Sequence, residues 1–167
     1  NAFDMERQRA EIWMEIALKG DDQLRQKVAW ALSQILVVSP DAIGSWFATE
    51  NFATYYDIFV RHAFGSYRDI LKEVSYSPMM AEMLSYLNSQ STAYIWERNK
   101  LLGYADENYA REIMQLFTVG LTMLNNDGTA VLDEDGNTIP TYTNEDIAEY
   151  ARLWTGFQEQ SKRGNIE

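Results

Sequence analysis

The chain has 167 residues, of which 46% are hydrophobic and 13% aromatic, and its formal net charge is −11. This composition is typical of a folded globular protein with a real core, and it excludes a disordered chain. The absence of cysteine excludes disulfides and thiolate metal sites, while the acidic charge without a basic cluster excludes nucleic acid as a partner.

The first two predicted helices carry apolar residues at helical spacing and have recognisable ends. The first runs over residues 4–19, with Asp4 as its N-cap and Gly20 as its stop. The second covers residues 23–38 and ends before Pro40, because proline disfavours a helical conformation in the residue before it. Each helix is predicted to pack one apolar stripe against a neighbour.

Three more helices are predicted before the middle of the chain. A short helix covers residues 41–48, and a longer one covers residues 50–64. Ser66 and Asp69 have the spacing of a capping box at the start of the next helix. A further helix begins at Pro78, since proline is well suited to the first helical position.

One stretch interrupts the helical pattern. Residues 121–143 contain two Asp-Gly turn signals, Asp127-Gly128 and Asp135-Gly136, between short alternating segments. This pattern predicts a small β-hairpin or three-stranded ribbon. Thr143 and Asp146 then form a second capping box, which opens the final helix.

The predicted fold class is therefore all-α: a multi-helix bundle with a small inserted β-hairpin or three-stranded ribbon at about residues 121–143. We expect one helical domain over residues 1–167. The chain begins at Asn1 rather than at Met and ends at Glu167 after a turn-like KRGN. We therefore expect it to be part of a longer protein.

The acidic turns suggest a calcium site, but the pattern is incomplete. Asp133, Asp135 and Asn137 alternate like the first ligands of an EF-hand loop. Thr138 occupies the position where that loop requires glycine, and Asn144 occupies the position of its bidentate glutamate. Plain turns are therefore the preferred interpretation, calcium is the weaker one, and no cofactor is predicted.

The segment DENYAREIMQLFTVGL, residues 106–121, predicts an amphipathic helix with an unusually dense polar face. Its Glu107 and Glu112, together with the single histidine, His62, and Arg68, are the catalytic candidates. The candidates for binding are long polar residues on this helix and near His62, namely Asn108, Arg111, Gln115 and Arg61. An ordinary solvated face, with Glu107 and Arg111 paired one turn apart, explains the same residues.

Several motifs together resemble one family. They are LRQKVAWALSQILVVS, YYDIFVRHAFGSYRDIL, DENYAREIMQLFTVGL, LNNDGTAVLDEDGNTIPTY and ARLWTGF. In this order they are similar to the family called domain of unknown function 1800. The resemblance implies a mostly bacterial, exported protein and no particular activity. Between Ser89 and Ala105 the family usually has a loop rich in glycine, proline and basic residues. In this chain the sequence of that segment predicts a short helix instead.

Two classes of function are open from the sequence. The first is a non-catalytic helical module of an exported or surface protein, which contacts proteins, the remainder of its own chain or an extracellular polymer. The second is a hydrolase-like enzyme whose glutamate, histidine and arginine residues form an acid–base site completed by further chain. No apolar run reaches the length of a membrane-spanning helix, so no membrane insertion is expected.

Overall fold

The structure is a computed structural model that describes residues 2–39, Ile43 and residues 49–158. Eight α-helices dominate this described part, which confirms the predicted helical class. The contacts divide the chain into two compact units, Asn1–Met83 and Leu84–Glu167. The expected single domain stays a prediction, and the helix predicted over residues 41–48 lies outside the described residues apart from Ile43.

The first unit contains five of these helices. They are α1 (Ala2–Lys19), α2 (Gln23–Ser33), α3 (Thr49–Arg61), α4 (Tyr67–Ser75) and α5 (Pro78–Met83). The start of α5 at Pro78 is as predicted. The N–H of Gly20 donates to the carbonyl of Ile16 at 2.9 Å, and the helix ends there. Because α1 begins at Ala2, Asp4 lies inside the helix, and its prediction as N-cap is wrong.

Two predicted details of the first unit are also wrong. Helix α2 ends at Ser33 and not at residue 38. The run that follows is rich in β-branched residues, which lose side-chain freedom in a helix, and the backbone tightens there through a bond from Ile35 to the carbonyl of Leu32. Ser66 occupies the N-cap of α4, but its side chain makes no capping bond. The predicted capping box is replaced by a backbone bond from Asp69 to the Ser66 carbonyl.

Two hydrogen bonds join α3 to α2 and to the segment that follows α2. The hydroxyl of Tyr55 donates to the carbonyl of Leu36 at 2.8 Å in a buried contact. The guanidinium of Arg25 donates to the carbonyl of Val60 at 2.9 Å. The remaining core consists of apolar side chains that are almost fully buried, among them Ala29, Phe59, Ile70, Val74 and Met80. This packing fixes the end of α3 beside α4.

The second unit begins with an aromatic core. Its helices are α6 (Thr92–Asn99), α7 (Asn108–Glu112), a π-helix (Ile113–Phe117), α8 (Asn144–Ala151) and a 3₁₀-helix (Arg152–Trp154). Tyr86 and Tyr109 are fully buried, with ring centroids 4.6 Å apart, and Trp154 meets Tyr109 edge-on at 4.8 Å. Helix α6 confirms the short helix predicted between Ser89 and Ala105.

The capping box at the start of α8 is confirmed. The hydroxyl of Thr143 accepts a hydrogen bond from the N–H of Asp146, and the Asp146 carboxylate accepts one from the N–H of Thr143 at 2.7 Å. Helix α8 then buries Ile147 and Ala151 against Ala110 of α7. The box therefore sets where the last helix begins on the core.

The stretch between the π-helix and α8 forms three short antiparallel segments, residues 122–124, 130–132 and 138–140, which we call the β-triangle. Single bridges join Thr122 to Pro140, Leu124 to Ala130 and Leu132 to Thr138. The central N–H groups donate around the triangle, from Met123 to Ile139, from Ile139 to Val131 and from Val131 to Met123. Because each bridge is isolated, no continuous strand forms in the described residues, and the predicted hairpin or ribbon is reduced to this cluster.

Candidate functional site

Arg61, His62 and Glu73 form a charged cluster in the first unit. The Nε2 of His62 lies 2.5 Å from one carboxylate oxygen of Glu73, and the Arg61 guanidinium donates to the other oxygen. The hydrogen bond from His62, followed by the one from Arg61, holds the pKa of Glu73 below its ordinary value. One carboxylate therefore connects the end of α3 to α4 through both of its oxygens.

The local backbone places His62 in this cluster. The N–H of His62 donates to the carbonyl of Ile58 at 3.1 Å, which adds one more bond beyond the last residue of α3. The chain then turns, and the N–H of Gly65 donates to the His62 carbonyl at 2.9 Å. Arg61 and His62 thus share the end of one helix and both reach Glu73. Arg68, predicted with them, lies exposed on α4.

A second polar cluster surrounds the start of α7 in the second unit. Arg111 donates to the carboxylate of Glu107 at 3.0 Å, so the predicted pair one turn apart is confirmed. The carboxylate of Asp106 accepts the N–H of Asn108, the first residue of α7, at 2.9 Å, although the N-cap position itself is occupied by Glu107. The amide of Asn108 also donates to the hydroxyl of Ser85 at 3.3 Å.

Glu112 and Gln115 lie at the point where the α-helix becomes a π-helix. Both side chains are half-buried, and the Oε2 atom of Glu112 is buried without a hydrogen-bond partner in the described part of the chain. The π-helix changes the angular spacing of its residues, and Leu116 within it is 65% exposed. Phe117 is buried. The prediction of a regular helix across this segment is therefore wrong in its second half.

The three weak metal candidates take part in a turn. One carboxylate oxygen of Asp133 accepts the N–H groups of Asp135 and Asn137 at 3.0 and 2.8 Å, and its other oxygen accepts the Asn137 amide at 3.3 Å. The backbone N–H of Asn137 contributes most to the lowered pKa of Asp133. Across the described ranges, no three acidic or histidine side chains gather in a way that would hold a metal ion. The exclusion of calcium remains a prediction.

A cleft between α1 and α2 was not anticipated from the sequence. Its volume is about 430 Å³, and its lining consists of Trp13, Ala17, Gln26, Lys27, Trp30 and Ala31. The indole N–H of Trp13 donates to the hydroxyl of Tyr56 at 3.1 Å, and the indole rings of Trp13 and Trp30 lie 6.5 Å apart.

No helix of the described chain combines the length and the apolar character needed to cross a bilayer.

Two residues of these clusters were missed by sequence reasoning, and each has a physical reason. Glu73 is separated from His62 by a turn, so only the way α3 and α4 pack shows that the two side chains meet. Ser85 has a left-handed backbone conformation, with φ at 58°. The surrounding sequence contains no glycine or other turn signal that would predict this conformation. The available signal for Glu73 was its charge, opposite to that of Arg61 and of a protonated His62.

The comparisons with known proteins identify a family for this chain but no relative with a known activity. No curated protein and no solved structure matched the chain. One family model matched, over residues 2–166, and its description is Protein of unknown function (DUF1800). This is the family that the sequence motifs resemble, and the match extends over nearly the whole chain. The chain therefore belongs to the DUF1800 family.

Proposed function

We propose that this chain is a non-catalytic helical module of an exported or surface protein, and that it works through contacts with a protein or an extracellular polymer. The observation that carries the proposal is the pairing of the acid–base candidates. His62 is hydrogen-bonded to Glu73, and Glu107 is paired with Arg111. The first contact joins the end of α3 to α4, and the second joins two residues one turn apart at the start of α7.

The alternative hydrolase would use Glu107, Glu112, His62 and Arg68 for proton transfer and charge stabilisation. A general base must be free to take a proton from a bound substrate. The Glu73 carboxylate occupies Nε2 of His62, and the second oxygen of that carboxylate is already bonded to Arg61. The histidine therefore resembles one side of a hydrogen-bonded link between two helices more than an acid–base group facing a substrate.

The surface charge favours some partners over others. With a net charge of −11, the chain repels polyanions at long range, so a partner is expected to be neutral or basic. Exposed apolar side chains are available for contact with such a partner on α1 and α2 and also across residues 94–124. The exported or surface location is what membership of the family implies.

Hydrolysis assays test the non-catalytic part of this proposal. The parent chain, His62→Ala and Glu112→Gln would be incubated with chromogenic carboxylic esters, phosphate esters and glycosides. We expect all three proteins to give the buffer rate, because the proposed module catalyses no hydrolysis. Turnover by the parent that either substitution abolishes, while circular dichroism shows an intact fold, would overturn the proposal.

A further inference from the structure

The β-triangle gathers a group of side chains on one face. Residues paired across an antiparallel bridge carry their side chains on the same side, and so do residues two positions apart along one segment. The residues that form the three bridges therefore share one face, which we call the bridge face: Thr122, Leu124, Ala130, Leu132, Thr138 and Pro140. The three central residues, Met123, Val131 and Ile139, belong to the opposite face.

The backbone hydrogen bonds bring the side chains of each bridge close together. The bridge from Leu124 to Ala130 is flanked by two bonds that run between the neighbouring residues and not between the bridged residues themselves. Such a non-hydrogen-bonded pair has its side chains closer than a hydrogen-bonded pair does. The other two bridges have the same arrangement. The bridge face is therefore a compact surface of three adjoining side-chain pairs.

The larger apolar side chains of the bridge face are open to solvent. Leu124 and Leu132 are 61% and 55% exposed, and Pro140 is exposed as well. Single exposed apolar residues are normal on a protein surface, whereas here three of them share one face of a small element. Covering this face would remove apolar surface from water, which favours binding. The bridge face therefore has the character of a contact surface.

The sequence around the bridge face is strongly acidic. Residues 112–151 contain eight acidic side chains and no lysine, arginine or histidine, so they carry −8 of the total charge of −11. Four of these acidic residues lie in the two turns that join the three segments, and all four are exposed: Asp127, Asp133, Glu134 and Asp135. In the part of the chain that the structure describes, none of them pairs with a basic side chain. Uncompensated negative charge thus lies directly beside the exposed leucines.

This charge distinguishes between the possible occupants of the bridge face. A second copy of the chain would bring the same acidic turns to the contact, and a polyanion would be repelled in the same way. A polypeptide segment with basic side chains next to apolar ones matches both features, since its apolar groups cover the leucines while its cations meet the carboxylates of the turns.

We infer that the bridge face binds a basic, partly apolar segment of another protein. Binding of this kind rests on the proposed function as a contact module, and it specifies the partner by its charge and by the surface that it occupies. Apolar contact supplies affinity at the centre of the face, and the acidic turns select for a basic partner.

Binding of three fluorescently labelled synthetic peptides, followed by anisotropy, tests this assignment. The first consists of lysine and leucine, the second of lysine and serine with the same charge, and the third of glutamate and leucine. We expect the parent chain to bind the lysine–leucine peptide roughly tenfold more tightly than either of the others, because only this peptide offers both apolar groups and cations.

A pair of leucine substitutions tests the apolar part of the bridge face. Leu124→Ser combined with Leu132→Ser should weaken binding of the lysine–leucine peptide by roughly tenfold or more, because the apolar contact is lost. The matched control combines Leu18→Ser with Leu24→Ser. These leucines, at 72% and 67% exposure, are at least as exposed but lie in the first unit, so the control should bind like the parent.

A pair of charge substitutions tests the acidic turns. Glu134→Gln combined with Asp135→Asn should weaken binding of both lysine peptides and make it less dependent on salt, because two carboxylates beside the face are removed. The matched control, Glu50→Gln combined with Asp57→Asn, removes two exposed charges from the first unit and should bind like the parent.

Three outcomes would each overturn the inference. They are a parent that binds none of the peptides, a lysine–serine peptide that binds as tightly as the lysine–leucine peptide, and a control variant that loses as much affinity as its test variant. If circular dichroism shows that the leucine variant does not fold, the charge variant, which keeps every apolar side chain, still provides the test. Hydrolysis by the parent would overturn the proposed function without changing peptide binding, so the two failures are distinguishable.

Discussion

At the scale of single residues, Glu73 is the side chain with the most consequential contacts. It accepts from Arg61 and is bonded to His62, both at the end of α3, while its own backbone belongs to α4. A carboxylate shared by two basic groups is stabilised in its charged form. The free energy of unfolding should therefore depend on whether Glu73 is ionised.

Glu73→Gln should lower the free energy of unfolding at neutral pH by about 1 kcal/mol or less, the range of partly exposed pairs. The folded-state pKa of Glu73 lies below its ordinary value of 4.5, so its contribution is present above that pH and is lost as the pH falls through the folded pKa. Thermal melts of parent and variant should therefore converge in acid. Glu97→Gln, at an exposed position on α6, is the control and should leave the melting temperature unchanged at every pH.

Glycine 136 is a second residue whose backbone has a measurable consequence. Its φ of 84° lies in the left-handed region, where a Cβ is costly. Gly136→Ala should lower the free energy of unfolding by about 1–2 kcal/mol, whereas Gly136→Asn should cost less because asparagine tolerates this conformation. Urea unfolding measures both. Equal costs for the two variants would contradict a backbone origin.

At the scale of elements, the two predicted capping boxes had different outcomes. The box at Thr143 and Asp146 forms, and the one at Ser66 and Asp69 does not. The residue types satisfy the pattern in both places, so the pattern itself does not distinguish them. Both N-cap residues are extended, but ψ is 133° at Ser66 and 171° at Thr143.

This contrast gives a matched pair of substitutions. Thr143→Ala should lower the free energy of unfolding by about 1 kcal/mol, because it leaves the N–H of Asp146 without its side-chain partner. Ser66→Ala should leave it nearly unchanged, since the Ser66 side chain makes no capping bond. Chemical denaturation of both variants measures the difference. A Ser66 variant as unstable as the Thr143 variant would show that the side-chain bond is not the cause.

The sequence predicted element types better than element ends. The apolar spacing around Tyr109 and Ile147 identified helices that bury those residues, because burial of a stripe depends on local spacing alone. It did not predict the π-helix, because a π-helix has no characteristic composition that distinguishes it from an α-helix. An apolar residue such as Leu116 is suited to the core in either kind of helix. Likewise, His62 was found as a candidate but its partner Glu73 was not, because the contact depends on packing between helices.

The β-triangle also contains a regularity that the sequence analysis missed. Two turns, residues 125–129 and residues 133–137, are closed by the same pattern of two backbone hydrogen bonds. In each turn the first residue donates to the carbonyl of the last one, and the glycine donates back to the carbonyl of the first. The Asp-Gly signals predicted the turns correctly, and the left-handed Gly128 and Gly136 explain them. The way three segments pair in a closed set is a long-range feature, and turn signals carry no information about it.

At the scale of the whole molecule, the expected single domain over residues 1–167 can be tested by its cooperativity. A single domain of this size unfolds in one transition that all probes report alike. We expect far-ultraviolet circular dichroism and tryptophan fluorescence to give the same midpoint in urea. Two resolved midpoints would show instead that the units Asn1–Met83 and Leu84–Glu167 unfold separately.

The closed pairing of the β-triangle has a consequence for solubility. Each of its three segments is bridged to both of the others, so none of them is the outermost strand of a sheet. Outermost strands expose unpaired backbone groups, on which another polypeptide can grow into an intermolecular sheet and finally into a fibril. In this ring the N–H and carbonyl groups of the central residues, Met123, Val131 and Ile139, pair with one another. The closed pairing thereby leaves no outermost strand among these three segments on which a sheet could grow.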